Sequence, residues 1–235
     1  MTLSTNGTTS KPDLQLFQNA DFDPCHDLYT PHLIALNKIV VDSKEPLEGN
    51  LFYYNLEEPV LDTPDPRYQH KRYNWGFFVL GGSRLLEVGF NAGHSALLAL
   101  TNNPDLIYVG VDIAYHSYTV PCYQYLKSVF GDRIQLHVGD SRKAVPAVAD
   151  FLRFDLFHID GGHDMAVAEA DLFNITSRAA PGSRLLFDDI TGPLLRILCD
   201  HYLVKGLMSE FRPAIWKGED QALFRINERP GASRG

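Results

Sequence analysis

The sequence predicts an α/β protein: a three-layer sandwich on a mostly parallel seven-stranded sheet with an antiparallel carboxyl-terminal hairpin. Three observations carry this. Between Arg84 and about Ile190, short apolar runs alternate with stretches of helical spacing, the pattern of right-handed βαβ crossovers. The strand candidates are apolar throughout, as in a sheet covered on both faces. The last two strand candidates are joined by a short link, which favours an antiparallel pair.

Residues 1–13 are polar and read as a disordered tail, as does the carboxyl end from Glu228. Leu28–Val41 carries a helical pattern, whereas Leu51–Tyr73 is rich in Pro, Asp and Tyr without clear periodicity. Residues 14–83 are therefore expected to form a helical and irregular cap on the sheet, not a separate domain, with the main domain spanning residues 84–228. Tyr53, Tyr54, Tyr68, Tyr73 and Trp75 read as packing residues, with a partial lid over a substrate as their other reading. Arg84–Gly89 is the first strand. His94–Leu100 is a helix, stopped by Asn102, Asn103 and Pro104. Leu106–Ile113 is the second strand and Val120–Phe130 a helix with Gly131 at C′. Ile134–Val138 is the third strand, followed by a helix over Arg142–Leu152 despite Pro146 in its first turns. Asp155–Asp160 is the fourth strand, Met165–Ala179 a helix closed by Pro181 and Gly182, and Arg184–Phe187 the fifth strand. A helix over Pro193–Lys205 precedes strands at Phe211–Trp216 and Ala222–Ile226, linked by Lys217–Gln221.

At 235 residues and 45% hydrophobic, the chain can build one large core. Its 21 basic against 29 acidic residues give a formal charge of −8. No basic patch of the kind that grips phosphate backbones is visible, so no nucleic-acid partner is expected. Cys25, Cys122 and Cys199 are too few and too scattered for a disulfide framework and fit a reducing compartment. No run approaches the ~18–20 apolar residues of a membrane span, and the first residues contain no apolar signal core. A cytoplasmic chain without a membrane partner is expected. The aromatic amino-terminal segment offers a possible homodimer interface.

The first strand runs into Glu87-Val88-Gly89-Phe90-Asn91-Ala92-Gly93-His94-Ser95. A glycine-rich turn between strand and helix lets a ligand approach the backbone closely. The dinucleotide fingerprint G-x-G-x-x-G is broken, because Asn91 stands where its second glycine belongs. Glu87 at the strand end is also unfavourable to a phosphate. It suits a cationic, hydroxyl-rich ligand such as S-adenosylmethionine, which has an ammonium, a sulfonium and ribose hydroxyls but no phosphate. Asp112 ends the second strand, about 20 residues on, where a carboxylate accepts ribose hydroxyls. Asp140 and Ser141 follow the third. Each acid alone could be a cap or turn residue, but three in consecutive units converge on one crevice.

The stretch from Glu87 to Ser95 resembles the first motif of class I S-adenosylmethionine-dependent methyltransferases, a Rossmann-like fold, and is most similar to the catechol O-methyltransferase-like group, with macrolide and sugar O-methyltransferases among its relatives. The resemblance implies that Glu87, Gly89 and Ser95 contact the methionine end of the cofactor, Asp112 the ribose, and Asp140 and Ser141 the adenine region. Asn91 and Gly93 belong to the same binding loop.

The fourth strand ends in Asp160-Gly161-Gly162-His163-Asp164 and the fifth in Asp188-Asp189. Asp160, Asp188 and Asp189 fall at the sheet edge that holds the cofactor acids. Three crowded carboxylates repel unless protons or a cation intervene. An all-oxygen set favours Mg²⁺, or Mn²⁺ or Ca²⁺, over zinc. The bland alternative is turn chemistry at Asp160 and a helix cap at Asp188 or Asp189. In the catechol-type enzymes an Asp ends strand four and an Asp-Asn or Asp-Asp pair ends strand five, which resembles the arrangement here, 188 − 160 = 28 residues apart. That family's catalytic Lys, three residues after the first ligand, is replaced by His163. A histidine can accept a proton near neutral pH, although His163 could also be a surface residue. Asp160 is placed among the catalytic, cofactor and metal residues. His158, mid-strand, reads as packed and hydrogen-bonded. The expected reaction is divalent-metal-dependent O-methylation of a small hydroxylated acceptor, such as a diol, catechol or sugar. The alternatives are a metal-independent N- or O-methyltransferase using His163, an NAD(P)-dependent oxidoreductase, and a non-catalytic cofactor-binding subunit.

Overall fold

The computed structural model describes residues 25–48, 50–53, 63–148 and 151–229. The expected tails at residues 1–13 and beyond 229, and Tyr54, lie outside them. Helix α1 spans His26–Ser43 and α2 spans Gln69–Val79. The alternating region follows as β1 (Arg84–Val88), α3 (His94–Asn102), β2 (Ile107–Asp112), α4 (Thr119–Phe130), β3 (Ile134–Val138), α5 (Ser141–Ala147), β4 (Leu156–Ile159), α6 (Met165–Thr176), β5 (Arg184–Phe187) and α7 (Pro193–Val204). Strands β6 (Met208–Glu210) and β7 (Ala222–Ile226) complete the seven-stranded sheet, ordered β3-β2-β1-β4-β5-β7-β6. Strands β1 to β5 pair in parallel, whereas β7 is antiparallel to both β5 and β6.

Alternation along the strands divides the interior in two. Leu85, Tyr108, Ile134, Leu156 and Leu186 face a core shared with α1, α2, α3 and α4. Leu86, Val109, Phe157 and Leu185 face a core shared with α6 and α7. Apolar strands are therefore consumed on both sides, as a parallel sheet requires. The strand order reverses between β1 and β4, and the crevice at such a switch, beyond the carboxyl ends, is where ligands bind in open sheets.

Three sequence expectations shift. The helix expected over Arg142–Leu152 stops at Ala147. Pro146 withholds one amide from its ladder, Val148 turns extended, and a separate 3₁₀ turn forms at Phe151–Arg153. The strand expected at Phe211–Trp216 lies at Met208–Glu210 instead. Glu210 pairs with Phe224, and beyond it Pro213 lacks an amide for the ladder. Helix α2 stands where no periodicity was visible. Its buried side includes Lys71 and Asn74 beside Trp75 and Phe78, so no apolar stripe marks it. The three cysteines are buried free thiols. Among the described residues no helix is long and apolar enough to cross a membrane.

One buried group in α6 carries a stability consequence. Asp171 is 0% exposed, and neither of its carboxylate oxygens has a hydrogen-bond partner among the described residues. Burial lifts its pKa to about 6, the nearby Ser141 hydroxyl offsetting part of the rise. A carboxyl whose folded pKa exceeds its unfolded value loses stability as pH rises from about 4 through about 6. Asp171→Asn is therefore expected to stabilise the fold by about 2 kcal/mol near pH 8 and to be neutral near pH 4. Urea melts at the two pH values check this; a pH-independent difference would contradict it.

Candidate active site at the carboxyl ends of the strands

A cavity of about 530 Å³ opens at the carboxyl ends of β1 to β5. The β1–α3 loop forms one wall. Gly89 has φ +98°, Asn91 φ +49° and Gly93 φ +76°, a run of left-handed residues that folds the chain back into α3. At Gly89 the lack of a side chain is mandatory: a Cβ would lie 2.0 Å from the carbonyl oxygen of Asp160. Gly89→Ala is expected to cost about 3 kcal/mol through strain and displacement of the Asp160 backbone. Denaturant unfolding checks it; a neutral substitution would mean that the loop relaxes freely.

Asp112 lines the cavity, and its carboxylate braces this loop. Oδ2 accepts from the amides of Phe90 (2.7 Å) and Asn91 (2.8 Å), and Oδ1 from that of Ala114 (2.6 Å). Asp140 also lines the cavity, caps α5 and is gripped by Arg142, with Nε 2.9 Å from Oδ1 and Nη2 2.6 Å from Oδ2. That guanidinium hydrogen bond holds its pKa down to about 2. Ser141 and Asn91 complete this side of the wall.

Gly89 is on the wall, but Glu87 and Ser95, expected with it at the methionine end, and Gly93, expected in the binding loop, do not line the cavity. Glu87 is 0% exposed. Its Oε2 accepts from Ser95 Oγ (2.8 Å) and the Tyr108 hydroxyl, and its Oε1 pairs with His158 Nδ1 at 2.6 Å. Burial pulls the His158 pKa down, but the hydrogen bond and charge of Glu87 outweigh it and the net shift is upward. Trp75 packs edge-on against His158 and ties α2 to α3 by donating to the Ser95 carbonyl at 3.0 Å. Gly93 is the N-cap of α3, where a Cβ would strike Phe90 and Leu126.

The second constellation does converge. Carboxylate oxygens of Asp160 and Asp188 lie within 4.8 Å of a ring nitrogen of His158, and those of Asp160 and Asp189 within 4.8 Å of one of His163. Asp160, Asp189 and His163 line the cavity. His163 Nε2 is 3.0 Å from Asp189 Oδ2. This hydrogen bond raises the His163 pKa, and it lowers that of Asp189 against the effect of burial. Asp189 sits at φ +53°, a strained conformation for a non-glycine residue of the kind that gathers at functional sites. Burial, then repulsion from Asp188, pushes the Asp160 pKa well above the carboxylate range.

Two residues at this centre escaped the sequence reading. Lys71 Nζ is 3.1 Å from Asp188 Oδ1, 3.3 Å from Asp220 Oδ2 and 4.0 Å from Asp189 Oδ1. Burial opposes its charge, but Asp188, Asp220 and Asp189 hold its pKa above the ordinary value. Asp220 comes from the β6–β7 link. At the far rim, His116 pairs with Glu45 (2.9 Å) and Glu48 (3.0 Å), so the segment after α1 borders the cavity beside Asn91. No sequence spacing signals either cluster, because the partners lie 71 and 117 residues apart for His116–Glu45 and Lys71–Asp188.

Residues 86–190 match a family model described as a methyltransferase domain. No curated protein matches the chain. Among solved structures, the methyltransferase PaMTH1 of Podospora anserina, bound to S-adenosylhomocysteine, is 15% identical, with a TM-score of 0.60 over 84% of this chain and 88% of that one. An O-methyltransferase of Bacillus cereus, also in complex with S-adenosylhomocysteine, is 14% identical, with a TM-score of 0.57 over 86% and 91%. The O-methyltransferase TomG of Streptomyces achromogenes, involved in tomaymycin synthesis and solved with S-adenosylmethionine, is 13% identical, with a TM-score of 0.57 over 90% and 99%. At these identities the likeness establishes the fold.

Proposed function

We propose that this chain, whose residues 86–190 match a family model described as a methyltransferase domain, transfers a methyl group from S-adenosylmethionine to a hydroxyl of a small acceptor. The observation that supports this best is the placing of the His163–Asp189 pair and of the loop braced by Asp112 on the walls of one cavity. When bound, S-adenosylmethionine supplies an already activated methyl group. The protein's task is then to align the acceptor oxygen and remove its proton, and alignment alone is worth ~7–11 kcal/mol in well-oriented systems. Asp112 and Asn91 stand where they would hold the ribose side of the cofactor, and Asp140 and Ser141 the base side. His163, oriented by donating from Nε2 to the Asp189 carboxylate, takes the acceptor proton at Nδ1 once neutral. Asp160 lines the same cavity beside His163 and Asp189.

A divalent ion held by Asp160, Asp188 and Asp189, expected from the sequence, does not fit this arrangement. Asp188 is 4% exposed and already accepts from Lys71, from the Asp189 amide (2.9 Å) and from Gln221 (3.4 Å). Asp189 is engaged by His163 and lies near the same ammonium. Of the three, Asp160 and Asp189 line the cavity and Asp188 does not. No step is therefore assigned to a metal.

Calorimetric titration with S-adenosylhomocysteine tests the reading, followed by a screen of hydroxylated metabolites with methyl-labelled S-adenosylmethionine. One S-adenosylhomocysteine per chain and label transfer to an oxygen are expected. Binding of NAD(P) in its place would overturn the proposal.

A further inference from the structure

We propose that Lys71 is the resident cation of the acidic crevice, a positioning residue whose ammonium neutralises carboxylates that were expected to hold a divalent ion. The role assigned to it rests on the methyl-transfer reading, whereas the charge arrangement does not.

The geometry is specific. The Lys71 side chain is 8% exposed, and its ammonium faces Asp188, Asp220 and Asp189 at 3.1, 3.3 and 4.0 Å. These acids come from the end of β5 and from the β6–β7 link, so one buried cation joins α2 to two separate parts of the sheet edge. The Tyr68 ring flanks the ammonium at 5.2 Å, and His70 reaches Asp220 at 3.2 Å from the same helix. A buried charge is retained only where it is paired, and here the surplus of carboxylates supplies the pairing. An Mg²⁺ ion needs oxygens at about 2.0–2.1 Å. Bound to Asp188 and Asp189, it would sit within a few ångströms of Nζ and be repelled by it.

The consequence reaches the reacting groups through short links. Lys71 fixes the Asp188 carboxylate. Asp188 Oδ1 accepts the Asp189 amide at 2.9 Å and so stabilises the left-handed turn at that residue. Asp189 in turn orients His163. Lys71 thus sets the geometry of the base without touching it, and makes the amino-terminal helix α2 a part of the site.

The experiment is an Mn²⁺ titration followed by electron paramagnetic resonance, on the full chain with and without S-adenosylhomocysteine, alongside turnover in excess EDTA. The wild-type chain is expected to show no tight Mn²⁺ site and no loss of turnover in chelator. Lys71→Met leaves the acids without their cation and is expected to bind Mn²⁺ at least about tenfold more tightly, reversibly with EDTA. Lys71→Arg, which keeps the charge, is expected to gain no such site. A tight, stoichiometric Mn²⁺ site in the wild-type chain, or a Lys71→Met chain that folds and binds Mn²⁺ no better than wild type, would overturn the proposal. If Lys71→Met does not fold, the wild-type and Lys71→Arg titrations still decide. Failure to bind S-adenosylhomocysteine would count against the methyl-transfer reading alone, since the Mn²⁺ titration reads the acidic crevice directly.

Discussion

Glu87→Gln is expected to destabilise the fold by about 3–5 kcal/mol, the cost of leaving one member of a buried charged pair without its partner. The substitution preserves shape, so no cavity contributes. What is lost is the anion facing His158 at 2.6 Å in a site where both side chains are 0% exposed. The same carboxylate also gathers Ser95 from α3 and Tyr108 from β2, so it pins three elements at the point where the loop leaves β1. The cost has a pH signature. Glu87 raises the His158 pKa against burial, and a histidine whose folded pKa is raised contributes stability that is complete below its unfolded pKa of about 6.5 and is lost as pH rises through the folded value. The penalty of Glu87→Gln should therefore be largest near pH 6 and smaller near pH 9. Denaturant melts at both values, with a Glu87→Gln/His158→Gln pair closing a double-mutant cycle, measure the coupling. A penalty below about 1 kcal/mol at both pH values would mean that the pair is carried as two neutral groups.

The same carboxylate shows where sequence reading reaches its limit. Strands β1 to β5 were legible because a covered parallel sheet makes them mostly apolar, and the chain order then dictates that acids at successive strand ends share one edge. Asp112, Asp140, Asp160 and Asp189 do line one cavity. Whether a strand-end side chain faces that cavity or the core is set by parity and register, which a lone acid does not reveal. Glu87 is in register with Gly110 on one side and His158 on the other, and its donors Tyr108 and His158 come from those two neighbouring strands. Helix α2 was hidden for a related reason. Burying Lys71 and Asn74 erases the periodic stripe that marks an amphipathic helix, and the acids that make this burial tolerable lie more than a hundred residues downstream. The polar residues of highest functional interest were thus the ones whose partners are distant in sequence.

His163→Ala is expected to lower kcat by about 10²–10⁴-fold, the range supplied by a positioned acid–base group, with KM for the acceptor changed far less. The pH profile separates this from a loss of fold. Asp189 hydrogen-bonds the imidazole and stabilises its charged form, so the His163 pKa stands above that of a free histidine. Acting as a base, His163 must first lose that proton. The acid limb of kcat/KM should therefore rise with an apparent pKa above about 6.5 in the wild-type chain. Asp189→Asn removes the anion while keeping an amide of the same size. The limb should move toward lower pH, and activity on its acid side should rise relative to the plateau even as the plateau falls through loss of orientation. In His163→Ala the limb should vanish. These opposite movements follow from a single 3.0 Å contact, and a structural role for either residue would depress the whole profile without displacing it. An acid limb that stays in place in Asp189→Asn would take His163 out of the reaction.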